Sequence, residues 1–152
     1  MRNADVIATG IGATLELGLD CHLSGPMQDA LDHGIPITLR VDLRAGNWPH
    51  TLAMAQRRIE LRYFPLTRRY QLRELRADDV RSFPTPAYLV AALGALRVSL
   101  PPAFAALPAA TPLNVAVAID AAALPGALRL PALFEPAWRL AAKDHAWTAA
   151  AR

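Results

Sequence analysis

The chain has one cysteine, one lysine and few aromatic side chains, 7% of its 152 residues. Each shortage excludes something. Cys21 alone closes no intrachain disulfide, and its neighbours repeat no metal-ligand spacing, so it reads as a buried or half-buried thiol. The four histidines, His22, His33, His50 and His145, show none of the short paired spacings by which zinc gathers three or four ligands. There is no glycine-rich phosphate cradle, and Ser24 stands outside any nucleophile-elbow sequence. A bilayer-spanning helix needs roughly 20 apolar residues in a row. The longest small-and-apolar run, 87–96, is followed by Arg97. The chain as given is therefore expected to be soluble, and residues 1–19, interrupted by Asp5 and Glu16, do not form a signal-peptide core.

What is present is apolar material sufficient for a core. Hydrophobic residues make up 53% of the chain and mean hydropathy is +0.20, which argues against disorder. Much of that is alanine, so the core must rest on Leu, Ile, Val and aromatic positions. The length suits one domain over 1–152, burying roughly two-thirds of the extended chain's surface. Net charge is +3 and the isoelectric point about 9.6, and Lys143 is the single lysine among 16 basic residues.

The pattern along the chain is mostly of period two. Residues 14–23 alternate as a first strand ending near Ser24-Gly25-Pro26. Ser24 can cap a short helix over 26–33, with Met27, Ala30 and Leu31 on its apolar side and Gly34 ending it. Alternation resumes over 35–43, and 46–49 form a turn or crossover. Residues 52–58 are ambiguous, whereas 59–64 and 68–75 around Pro65-Leu66-Thr67 form the strongest hairpin signal. A helix is predicted over 87–96, with Leu89, Leu93 and Leu96 on one side and Gly94 as its weak point. Residues 113–119 read as a strand, 120–124 as a turn or short helix, and 127–130 with 138–141 as a final strand pair. The predicted fold is mainly β or α+β: an antiparallel sheet or β-sandwich decorated with short helices.

Few side chains offer chemistry. Cys21 and His22 are adjacent, and on a strand adjacent side chains face opposite ways. Asp78-Asp79 sits between a strand-like and a proline-rich segment, where a solvated turn explains it. No catalytic, cofactor or metal residues are assigned; an enzyme reading requires an active site assembled from dispersed residues. The densest basic feature is Arg57-Arg58 with Arg68-Arg69, near Tyr63, Phe64 and Tyr70. Folded as a hairpin, this block is the candidate interaction surface, formed by Arg57, Arg58, Arg68, Arg69, Tyr63 and Tyr70, for an acidic protein or an anionic surface. Nucleic acid is disfavoured, because no continuous basic stripe with stacking aromatics is visible. Trp138 and Trp147 either seal the core or mark an interface, depending on register.

The opening strand, the junction from Ala30-Leu31 through Gly34-Ile35-Pro36, the block 59–70, Phe83-Pro84-Thr85, Asp120 with residues 124–129, and the terminal Trp138-Arg139-Leu140 and Trp147 together resemble the bacterial family called domain of unknown function 4390. The chain departs from the family pattern at 46–50 and 141–145. Members are generally proteobacterial, often with an export or anchoring segment, and carry no assigned activity. The resemblance therefore implies a periplasmic or envelope-associated protein, with a cytoplasmic product as the alternative; together with the missing catalytic constellation and the basic hairpin it leads to the expectation of a non-catalytic adaptor or accessory domain whose partner is an envelope protein or anionic membrane surface. It implies no enzyme mechanism.

Overall fold

The computed structural model describes residues 3–9, 12–47, 49–77, 79–139 and 145–148. Alternating burial along the chain separates two antiparallel sheets. Strands β1 (Asn3–Thr9), β2 (Gly12–Gly18) and β7 (Leu96–Leu100) form a three-stranded sheet in the order β1-β2-β7. A six-stranded sheet is built from β3 (Ile37–Asn47), β4 (His50–Phe64), β5 (Arg69–Glu74), β6 (Val80–Phe83), β8 (Pro112–Ile119) and β9 (His145–Thr148). Its order is β6-β5-β4-β3-β8-β9. Every strand pairing is antiparallel. Three short helices decorate the sheets: α1 (Gly25–Asp32), α2 (Pro86–Leu93) and α3 (Gly126–Phe134). The predicted class, antiparallel sheets decorated with short helices, is the one observed.

The core follows from the pleat. In β2, Ala13, Leu15 and Leu17 are buried, and in β7 Leu96, Val98 and Leu100. The six-stranded sheet answers with Leu39, Val41 and Leu43 of β3, Ile59 and Leu61 of β4, and Leu113, Val115 and Val117 of β8. These residues belong to one buried cluster that also takes in Met27 and Leu31 of α1, Leu89 and Leu93 of α2, Phe104 and Trp138. A fully buried Leu or Ile side chain contributes roughly 1.5–3 kcal/mol, so this row of branched aliphatics supplies most of the driving force.

Local signals explain the helices. The Ser24 hydroxyl accepts from the Met27 N–H at 3.4 Å, and Pro26 supplies a helical φ in the first turn. Gly34, at φ +78°, ends α1 while the Ile35 N–H closes back on the Ala30 carbonyl at 2.9 Å. The Thr85 hydroxyl caps α2 in the same manner, accepting from the Tyr88 N–H at 3.5 Å.

Four expectations are corrected. The helix predicted over 87–96 ends at Leu93, and Leu96 instead opens β7: beyond Gly94, the alternation of 96–100 buries three side chains against β2. The segment 127–130, expected as a strand, lies within α3, whose Ala-Leu-Arg-Leu run is a good helix former following Pro125-Gly126. Trp138 closes a 3₁₀ turn rather than opening a strand, and the terminal strand is β9 over His145–Thr148; residues 140–141 lie outside the described residues. The first strand is not the first in the chain, since Asn3–Thr9 pairs with β2 from Asn3↔Gly18 to Thr9↔Gly12.

The ambiguous 52–58 stretch is part of β4, which with β3 makes a long hairpin arm. Near its tip the register slips between Ala45 and Gly46, leaving Leu52 as the extra residue of a bulge. Gly46 sits at φ +96°, and a β-carbon there would run into the His50 carbonyl oxygen, so only glycine fits.

Candidate functional site

Register decides which basic residues meet. The pairs Phe64↔Arg69, Arg62↔Gln71 and Glu60↔Arg73 join β4 to β5, and Arg40↔Arg58, Asp42↔Gln56 and Arg44↔Met54 join β4 to β3. Side chains paired across a register share a face. Arg40, Arg44, Arg58, Arg62, Arg69 and Arg73 therefore all project from the outer, wet face of the six-stranded sheet, opposite the core. Glu60, Asp42 and, at the margin, Asp120 are the acids among them.

The directly opposed arginines Arg40 and Arg58 would repel each other if bare. Each is held by a carboxylate: Arg40 Nε lies 2.9 Å from Asp42, and Arg58 Nε 3.3 Å from the buried Asp120. Gln56 donates to the second Asp42 oxygen at 2.8 Å. Arg62 lies over the Phe64 ring, 5.0 Å from its centroid, and Arg69 Nε donates to the Ser82 hydroxyl at 2.9 Å. Among the described residues, no ion pair engages Arg44, Arg62, Arg69 or Arg73, and all four are exposed.

The structure does not gather Arg57, Arg58, Arg68, Arg69, Tyr63 and Tyr70 on one surface. Arg58 and Arg69 stand on the arginine face. Arg68 occupies the hairpin turn at φ +50°, exposed beside the fully exposed Leu66. Arg57, one residue from Arg58, turns to the core face. There its Nε donates to the Ser99 carbonyl at 2.9 Å and lies 3.4 Å from the Glu74 carboxylate, and its Nη1 donates to the Gln56 carbonyl at 3.0 Å. The Ser99 N–H in turn donates to Glu74. An ion pair from the six-stranded sheet thus occupies both backbone groups of Ser99 on edge strand β7 and clasps the two sheets together. Burial pushes the Glu74 carboxyl up, and the Ser99 N–H and the Arg57 guanidinium pull it back only in part.

Tyr63 and Tyr70 also face inward. Their rings pack with centroids 4.6 Å apart, and the Tyr70 hydroxyl donates to Asp32 of α1 at 2.6 Å. Burial of the ring, with the bond to Asp32 and that carboxylate's charge, raises the Tyr70 phenol to about 12. The pair anchors α1 to the sheet rather than fronting the arginines.

Reading the hairpin alone misses Arg40, Arg44, Arg62 and Arg73. Their signal lies in the period of two: Arg40, Asp42 and Arg44 alternate on one strand, and Arg58, Glu60 and Arg62 on the next. Only the pairing of the strands shows that the two sets share a face.

Other groups stay apart. No set of three or more His, Cys, Asp or Glu among the described residues is placed to hold a metal ion, and no helix is long and apolar enough to cross a membrane. Asp79 lies 3.8 Å from Arg81, while Asp78 and the 141–144 part of the segment that departs from the family lie outside the described residues. Cys21 is buried in the core cluster, and burial, followed by the nearby Asp20 charge, raises its thiol.

Two antiparallel sheets clasped by a buried ion pair, with arginines concentrated on one outer face, define a sheet-based domain with a basic surface. A family model described as Domain of unknown function (DUF4390) matches residues 1–148, and the chain belongs to that family. No curated protein and no solved structure matches it.

Proposed function

We propose that the protein is a non-catalytic recognition domain, an adaptor or accessory subunit of the bacterial envelope, which binds an acidic partner protein through the outer face of its six-stranded sheet. The observation that carries this reading is the register that sets Arg40, Arg44, Arg58, Arg62, Arg69 and Arg73 on one surface against three acids among the described residues. A merely soluble sheet face is served by mixed charge; here Arg44, Arg62, Arg69 and Arg73 are exposed with no ion pair among the described residues. Arginine suits carboxylate recognition, since its planar fork binds both oxygens and is less strongly hydrated than an ammonium. A periplasmic setting accords with the export segments that the family resemblance implies.

The test is capture from an envelope extract followed by quantitative binding of the captured partner across a salt series. Arg62→Glu with Arg73→Glu reverses two exposed charges that hold no ion pair among the described residues, and it should weaken the complex and flatten its salt dependence. Arg68→Glu with Arg69→Glu, at the turn end of the same hairpin, should have a smaller effect. Circular dichroism must show both variants folded. Unchanged affinity in the first variant refutes the site, and reproducible turnover of a small substrate by the purified protein puts an enzyme in its place.

A further inference from the structure

We propose that the arginine face recognises its acidic partner around an apolar anchor: one large apolar side chain of the partner enters a hollow on the outer face of the six-stranded sheet, while neighbouring arginines take the flanking carboxylates. The inference rests on the preceding reading for its charge and adds the chemistry of the partner segment. The hollow, about 380 Å³, crosses β4, β3 and β8 between Asp42, Arg44, Met54, Gln56, Asn114 and Ala116. It exists because of side-chain size. On β8, Asn114, Ala116 and Ala118 stand opposite Arg44, Asp42 and Arg40 of β3, so short side chains border long ones and a recess opens over Ala116.

Its walls set the specificity. Met54 is 72% exposed and forms an adaptable apolar wall, and Leu52, carried outward by the bulge, extends that side at 58% exposure. Asp42 is the one carboxylate in the lining, and Arg40 and Gln56 hold both of its oxygens, so it does not stand bare against an arriving anion. Arg44 borders the hollow, and Arg40 and Arg58 lie one register row beyond Asp42 and Gln56. This arrangement of an apolar centre inside a charged margin matches the anatomy of protein interfaces, where a few anchors in a pocket dominate affinity. The occupant is a protein segment rather than a bilayer, because the apolar surface is a recess bounded by polar side chains.

The experiment uses two fluorescein-labelled peptides, one with glutamates on both sides of a central phenylalanine and one with alanine at the centre. Anisotropy titrations of the full chain are run over a salt series. The phenylalanine peptide should bind roughly tenfold tighter at every salt concentration, with the same salt slope. Ala116→Phe, which fills the hollow, and Met54→Ala, which removes its exposed wall, should each erase that preference and leave the slope unchanged. Met54→Ala alters a largely solvent-facing side chain, so the test holds even where Ala116→Phe perturbs folding. Equal affinity of the two peptides with salt-dependent binding retained overturns the anchor and leaves the arginine reading standing. Absence of salt-dependent binding to either peptide overturns both. Tighter binding to vesicles containing phosphatidylglycerol, unaffected by Met54→Ala, assigns the face to a membrane surface instead.

Discussion

Replacing Arg57 by methionine removes a guanidinium and keeps most of the aliphatic stem, which makes it the sharpest probe of how the two sheets are joined. The Arg57 and Glu74 side chains are only 15% and 9% exposed, so water screens them little. At 3.4 Å and an effective dielectric of about 20 the gross attraction is about 5 kcal/mol. Removing one partner of such a pair costs roughly 3–5 kcal/mol, because the other charge stays buried without compensation. Arg57→Met also strips the Ser99 carbonyl of its donor, while the Ser99 N–H keeps Glu74. Urea denaturation at pH 7 should therefore show a loss of several kcal/mol, toward the upper part of that range. Adding Glu74→Leu to Arg57→Met should cost less than the sum of the two single changes, since an apolar pair leaves no buried charge. The pH dependence follows from the sign. The Glu74 carboxyl is raised in the folded protein, so the folded state holds its proton more tightly than the unfolded one. Its favourable contribution is complete below the ordinary carboxyl value of 4.5 and is lost as pH rises through the folded value. Without Arg57 that value rises further, and Arg57→Met should recover part of its lost stability on going from neutral to mildly acidic pH. A loss under about 1 kcal/mol, or strict additivity in the double variant, would refute a clasp between the sheets.

Two more outcomes follow from the interior. Tyr70 should titrate near pH 12 rather than at 10.0, seen as late growth of phenolate absorbance, and the stability it confers is present below 10 and fades as pH climbs toward 12; Tyr70→Phe should cost about 1 kcal/mol and loosen α1, with hydrogen exchange as the readout. The Cys21 thiol, buried and raised, should react with a disulfide reagent at neutral pH only as fast as the protein opens, so a fast, denaturant-independent reaction would contradict its place in the core.

The division between what was legible in the chain and what was not follows the range of the interactions. Segments whose fate is local could be read directly. Ser24, Pro26 and Gly34 delimit α1 through caps that span a few residues, and the period of two in 35–43, 59–64, 68–75 and 113–119 announces strands with one buried face. Family membership was legible for a related reason, since its signals lie in the order of short segments along the chain. Short runs at element boundaries were not legible. Leu96 reads as the end of the helix predicted over 87–96 until β2 stands beside 96–100, and 127–130 reads as a strand until Pro125-Gly126 is seen to start α3. The candidate surface shows the same limit most clearly. Adjacent arginines suggested a patch, yet the pleat sends Arg57 to the core face with Ile59 and Leu61, and Arg58 to the wet face with Glu60 and Arg62; the alternation carries that parity but not what each arginine meets. Partners from distant strands decide it: Glu74 and Ser99 receive Arg57, Asp120 receives Arg58, and β3 brings Arg40 and Arg44 alongside. Composition and periodicity by themselves determined that this chain would form helix-decorated antiparallel strands with excess positive charge. Only tertiary pairing decided where that charge gathers, because a strand's side chains alternate by geometry while the register that aligns them between strands is set by burial across the whole sheet.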